Sequence, residues 1–200
     1  MKKLGSGWQY TVYDLDNCRV LKRYHSPLKS FWAVLKGIFP FTKNPPWVVF
    51  KWMKELQDKA EESFAVIERK SIPKEWLGNP KRLTGLDFEQ DKVTPLHDVL
   101  AKLSVAEQKE IVESFIEFTK KLLSIGVVDQ NFDITKNFGL SADGHIVLSD
   151  IGELFDDPAK IERRLKKRIW TASYVAGCID DTEVRRYFIE RMDAEFGLKG

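Results

Sequence analysis

The chain has 200 residues, 43% of them hydrophobic, with 32 basic against 30 acidic residues and a formal net charge of +2. That content is enough for a core in one domain or two small lobes, and the even charge balance gives no reason to expect nucleic acid as a partner. The opening MKKLGSGWQY lacks the apolar run of a secretory signal, and no stretch approaches the ~20 apolar residues needed to span a bilayer, so a soluble, cytoplasmic protein is expected.

The first element reads as a β-ribbon, WQYTVYDL followed by CRVLKRY, with Asp16-Asn17 as the turn between them. Residues 26–46, rich in lysine and aromatics and broken by Pro27, Pro40, Pro45 and Pro46, interrupt the pattern as an insertion. From Val48 to about Arg69 the spacing of Trp52, Leu56, Ala60, Phe64 and Ile67 predicts a long helix. GLDFEQDKV alternates apolar and polar residues, as a strand leading into a connector does.

The second half reads as mainly helical. Ser104-Val105-Ala106-Glu107 is a capping box, and it opens a helix that carries Ile111, Val112, Phe115, Thr119 and Leu122 on one face and ends before Gly126. A loop follows, then a hairpin turning at Asp143-Gly144. Asp157-Pro158 supplies an N-cap and first-turn proline for the next helix, and a last helix spans Asp181 to Phe196.

Several residues could carry chemistry. Gly5 and Gly7 precede a strand, where paired glycines let backbone approach a phosphate and cradle it with N–H groups; the same Gly-Ser-Gly also makes an ordinary turn. Lys22 follows Val20-Leu21 on an otherwise apolar strand, as an edge residue or as a group reaching phosphates. The strand Ile146-Val147-Leu148 runs into Asp150-Ile151-Gly152, either a turn or a carboxylate whose burial a cation would offset. Cys18 and Cys178 fit a reducing compartment, and His25, His97 and His145 share no ligand spacing.

The order of these features resembles the protein-kinase-like superfamily, which includes protein kinases and small-molecule phosphotransferases of the aminoglycoside type. The resemblance implies a bilobal α+β fold, with a small β-rich N-lobe over residues 1–89 and a reduced helical C-lobe over 90–200. It implies ATP and Mg²⁺ as cofactors. Gly5 and Gly7 resemble the glycine-rich loop, with Tyr10 where a third glycine is usual. Lys22 resembles the lysine that pairs with the α/β-phosphates, and a helix glutamate would hold it: Glu62, with Glu55 and Glu61 as rivals. Phe88-Glu89-Gln90 looks like the hinge whose backbone meets adenine, so Glu89 and Gln90 are candidate nucleotide contacts. Asn137 and Asp150 look like the Mg²⁺ ligands.

The family pattern places its catalytic aspartate five residues before the asparagine, where this chain has Phe132. Asp133 and Asp129 are the two candidates for the base. The acceptor would be a hydroxyl-bearing small molecule, glycan or protein. The short sequence after Asp150, with no Ala-Pro-Glu segment, favours a compact phosphotransferase or a nucleotide-binding relative over a typical protein kinase. The irregular loop leaves a pseudokinase, acting as a nucleotide-binding or protein-interaction module, as the alternative. Residues 28–54 mix Trp, Phe and Lys, so they either pack on the small lobe or make peripheral contact with a membrane surface. The run KIERRLKKR reads as a solvated helix face, or as a site for an anionic partner.

Overall fold

The three opening strands form a meander: β1 (Lys2–Ser6), β2 (Tyr10–Asp14) and β3 (Arg19–Tyr24). The chain is described here from a computed structural model covering residues 1–7, 9–38 and 46–197. Tyr, Thr and Val suit β2 to a half-buried pleated surface, and the turn into β3 holds Asp16 and Cys18 in left-handed backbone, with φ of 60° and 59°. β1 was not expected. Its residues are exposed and lysine-rich, so it shows no apolar alternation, yet it pairs with β2 as the edge of the sheet, where exposed lysines discourage pairing with another chain.

The expected insertion is partly helical. Pro27 opens α1 (Pro27–Ile38), where its missing N–H costs nothing, and α2 follows (Pro46–Arg69). Residues 39–45 of that insertion lie outside the described residues. Val49 is buried between the two helices, with Phe31, Leu35, Met53 and Leu56 packed around it. The far end of α2 buries Ala60, Phe64 and Val66 in the main core.

After a short 3₁₀ turn at Lys74–Leu77 come β4 (Lys81–Arg82) and β5 (Phe88–Asp91), and the five-stranded antiparallel sheet has the order β1-β2-β3-β5-β4. β6 (Thr94–Pro95), α3 (Leu96–Leu100) and α4 (Val105–Ser124) follow. Ser104 caps α4 through a reciprocal capping box with Glu107. β7 (Val128–Asp129) pairs with β10 (Leu154–Phe155), while β8 (Phe138–Leu140) and β9 (Ile146–Leu148) form the hairpin and join β6. Gly144 in its turn takes a φ of 78°. α5 (Pro158–Lys166) is capped by Asp157, and α6 (Thr182–Phe196) by Asp181.

The protein is therefore α+β and bilobal, a small antiparallel sheet lobe followed by a helical one. Among the described residues no helix is long and apolar enough to cross a membrane.

One core joins the lobes. Tyr10, Phe64 and Phe88 of the first lobe belong to the same buried cluster as Phe115, Phe138 and Phe188 of the second. Phe115 is fully buried and meets Phe138 edge-on, with ring centroids 4.9 Å apart. Replacing Phe115 by Ala should cost about 3–5 kcal/mol in urea unfolding, the range for emptying an aromatic site in a core. On the surface, Arg191 grips Glu113 with two bonds of 2.6 and 2.9 Å, and the Tyr187 hydroxyl donates a third of 2.6 Å, tying α6 to α4. The Arg191 guanidinium holds the Glu113 carboxyl below its ordinary range. A depressed folded-state pKa gives stability that is present above the ordinary carboxylate pKa and lost as pH falls through the folded one. Glu113→Gln should then lower the melting temperature at pH 7, by an amount corresponding to about 1 kcal/mol or less for so exposed a pair, and the difference from wild type should vanish in strong acid.

Candidate functional site

Six separate stretches of chain meet at a cleft of about 620 Å³ between the sheet lobe and the helical lobe. The sheet contributes Gly7, Val12 and Lys22, with Lys22 on β3 directly opposite Val12 on β2. The Lys22 ammonium donates to the carbonyl of Ser149 and lies 5.6 Å from the centre of the Phe88 ring. Burial pulls its pKa below the ordinary lysine value, and the charge of neighbouring Asp150 opposes that fall.

Across the cleft stand Asn137 and Asp150, held together by backbone. The Asn137 carbonyl accepts from the Ser149 N–H at 2.8 Å, the Asp150 N–H at 2.9 Å and the Ser149 hydroxyl at 3.0 Å. The Asn137 side chain donates through Nδ2 to Asp129 Oδ1 at 2.8 Å. Asp129 is 2% exposed, and its other oxygen accepts the N–H groups of Asn131 and Asp133, both at 3.3 Å. Burial first, and then the charge of Glu153, pushes the Asp129 carboxyl up to about 8 against the pull of its donors.

The two candidate bases are thereby separated in space. Asp133 lines the cleft with Lys22, Asn137 and Asp150, whereas Asp129 sits behind Asn137. Asp133 is oriented by the Thr135 hydroxyl at 2.9 Å, the Lys136 N–H at 3.2 Å and the Lys136 ammonium at 3.4 Å. Phe132, the residue just before it, has a φ of 53°. That conformation is unfavourable for a bulky side chain and persists where surrounding packing imposes it. Here Phe132 is 1% exposed, edge-on to Trp170 and packed beside Phe196. Its ring belongs to the core.

Gly152 has a local reason. A Cβ there would run into the side-chain oxygen of Gln9, a buried residue whose amide donates to the Leu56 carbonyl of α2 at 2.9 Å. Gln9 thus braces the turn after β1 against both α2 and the segment that carries Asp150. At Gly5 and Gly7 a Cβ would meet nothing, so no protein atom requires glycine there. Gly7 lines the cleft; Gly5 lies in β1, paired with Val12.

Other expected contacts lie elsewhere. Glu62 does not hold Lys22: it accepts from Arg69 at 2.8 Å, away from the cleft. Trp52, Glu55, Leu56 and Lys59 form the stripe of α2 that lines the cleft, and Glu62 lies three residues beyond Lys59, about 4.5 Å further along the axis at the helical rise, where it borders a separate space. Of the rivals, Glu55 lines the cleft and Glu61 accepts from Gln57 on the surface. Glu89 and Gln90 lie within β5, not in a connector. Their backbones are committed to β3 and, for Glu89, also to β4. Glu89 is 3.7 Å from Arg19, and Gln90 donates to the carbonyls of Leu77 and Leu148. The ladder runs on through Asp91, so the crossing between lobes begins at Lys92, and neither residue borders the cleft.

Six lining residues had no role in the sequence reading: Gln9, Lys59, Asn131, Lys136, Glu153 and Tyr174. Glu153 bonds Asn131 Nδ2 at 2.8 Å and lies 3.8 Å from Lys59, and burial raises its pKa. Its position directly after Asp150-Ile151-Gly152, and that of Lys136 directly before Asn137, were the available signals. Among the described residues no group of three His, Cys, Asp or Glu is arranged to hold a metal. Asp150 and Asn137 suit a hard cation shared with a phosphate-bearing ligand, which takes only one or two protein carboxylates.

The brace predicts a specific coupling. Gly152→Ala should destabilise the fold by about 1–2 kcal/mol through the collision with Gln9. In a Gln9→Ala background most of that cost should disappear, as a double-mutant cycle in urea would read out.

No family model matches the chain, and no curated protein matches it. Among solved structures it is similar to Rv3197 of Mycobacterium tuberculosis, determined in complex with erythromycin, at 15% identity and a TM-score of 0.50, over 90% of this chain and 53% of that one. This chain thus spans about half the length of that protein, and at such identity the likeness is one of fold.

Proposed function

We propose that the chain is an ATP- and Mg²⁺-dependent phosphotransferase of the protein-kinase-like superfamily, acting on a hydroxyl-bearing acceptor. The observation that carries the reading is the convergence on one cleft of Lys22 from the sheet lobe with Asp133, Asn137 and Asp150 from the helical lobe. In this reading Lys22, with Lys59 and Lys136, supplies positive charge to the phosphates, and Gly7 leaves room for their approach. Asp150 and the side-chain oxygen of Asn137 would hold Mg²⁺, which neutralises phosphate charge when bound. Asp129 is a positioning residue, fixing the Asn137 amide so that its oxygen is turned away from the shared hydrogen bond.

Asp133 is the base. It takes the proton of the acceptor hydroxyl as that oxygen bonds to the γ-phosphorus. The bond from phosphorus to the bridging oxygen breaks, and ADP leaves. Positioning and charge supply most of the acceleration in such chemistry, so a departure from the usual spacing before Asn137 is compatible with turnover.

Thermal unfolding with ATP, Mg²⁺ and both tests the reading. Wild type should gain stability with both ligands together, and Lys22→Ala and Asp150→Ala should lose the gain. Asp133→Asn should keep it while ADP formation falls by about 100-fold or more. No gain in wild type would remove the assignment. A gain without any ADP formation would leave a pseudokinase.

A second reading, compatible with the first, is peripheral contact with an anionic membrane through the α1–α2 hairpin. Leu28 (70%), Trp32 (52%), Trp47 (71%) and Phe50 (59%) are exposed there, and residues 27–54 contain lysines but no acidic residue. Aromatic and basic side chains together suit a lipid interface. Vesicles rich in phosphatidylserine should sediment the protein at low salt and release it at high salt; failure to sediment would end this reading.

A further inference from the structure

Beside the cleft, a groove of about 660 Å³ runs between α2 and α5, and Lys59 and Glu153 line both spaces. Its walls carry Lys59, Lys160, Arg163, Arg164 and Lys167. The last four recur at steps of three and four residues, so a single face of α5 and its C-terminal cap presents them together. Three carboxylates, Asp58, Glu62 and Glu153, also line the groove. Two are already engaged: Glu62 by Arg69, and Glu153 by Lys59 and Asn131.

The cations are not balanced in the same way. Lys160 has only Asp157, at 4.0 Å, and Glu162, the acidic residue within α5, pairs with Lys166 on another face. Among the described residues Arg163 and Lys167 make no ion pair, and Arg164 meets only the charge of Glu153, beyond ion-pair distance. Like charges three and four residues apart weaken a helix. The helix dipole favours cations anywhere around the last turn, so it does not account for their gathering on the face that walls the groove. Two arginines side by side suit the paired oxygens of a phosphate group.

We propose that this groove binds the acceptor, and that the acceptor already carries a phosphomonoester, held by Arg163, Arg164 and Lys167 while its hydroxyl reaches Asp133. This rests on the phosphotransferase reading. The phosphomonoester could belong to a soluble molecule or to a lipid headgroup, since the groove recognises the chemistry they share.

The test loads the protein with a non-hydrolysable ATP analogue and Mg²⁺, so that the nucleotide site is filled, and then titrates inorganic phosphate calorimetrically. Arg163→Gln/Arg164→Gln/Lys167→Gln should bind the nucleotide analogue as wild type does and lose affinity for phosphate by about tenfold or more. Lys166→Gln, on the other face of α5, should bind phosphate as wild type does. Equal phosphate binding by wild type and the triple variant, or none by wild type up to about 50 mM, would overturn the groove while leaving the nucleotide reading intact. Phosphate bound through the three cations in a protein that binds no nucleotide would refute the acceptor role together with the phosphotransferase reading. A parallel arm uses vesicles containing phosphatidic acid. Stronger sedimentation of wild type than of the triple variant, whose α1–α2 hairpin is unchanged, identifies a lipid-borne phosphomonoester; phosphate binding without that difference identifies a soluble one.

Discussion

The backbone carbonyl of Asn137 is the point from which the cleft is built. It accepts three donors from Ser149 and Asp150, so the loop before β8 and the segment after β9 cannot separate without stranding buried polar groups. Through that knot the position of one residue becomes the position of several. Ser149 offers its own carbonyl to Lys22, which ties the sheet lobe to the same spot. The Asn137 amide reaches back to Asp129, and the β7–β10 pairing anchors that loop in turn. Remove the carbonyl's partners and Lys22, Asp150 and Asn137 lose their common frame.

Electrostatics make this arrangement conditional on its own completeness. Lys22 is a partly buried ammonium on the cleft wall, and the hydration it loses is costly unless the charge is hydrogen-bonded and has an opposite charge nearby. A carbonyl bond and the Asp150 carboxylate provide both. Asp129 is the converse case, a buried acid among N–H donors with further negative charge nearby. Lys59 and Lys136 keep the cleft from being dominated by its carboxylates.

Local chemistry was legible in the sequence where a motif satisfies its own backbone. The capping box at Ser104, the Asp157-Pro158 cap and the Asp143-Gly144 turn each state a hydrogen-bond solution within a few residues, and the chain folds accordingly. β1 and α1 were not legible in that way. The first is an exposed edge without alternation, and the second is a short proline-opened helix whose apolar face finds its partner in α2. Within the cleft, Gly7, Lys22, Asn137 and Asp150 could be selected by their places in the order of elements, while Asp129 and Asp133 both stayed open as the base. Glu62, Glu89 and Gln90 could not be rejected, because a distance along a helix axis or the extent of a β-ladder is decided by tertiary contacts. The separation of Asp129 from Asp133 depended on Phe132, whose left-handed backbone is imposed by rings from Trp170 and Phe196 that lie far along the chain.

The shared core has a consequence for how the chain comes apart. Phe88 on β5 and Tyr10 on β2 pack into the same apolar cluster as α4, β8 and α6, so neither lobe owns a complete interior. A cut in the crossing at Lys92-Val93 would strip each half of part of its covering and leave both with an open hydrophobic face. The lobes are thus halves of one cooperative unit, and calorimetric and van't Hoff enthalpies of unfolding should agree for the whole chain.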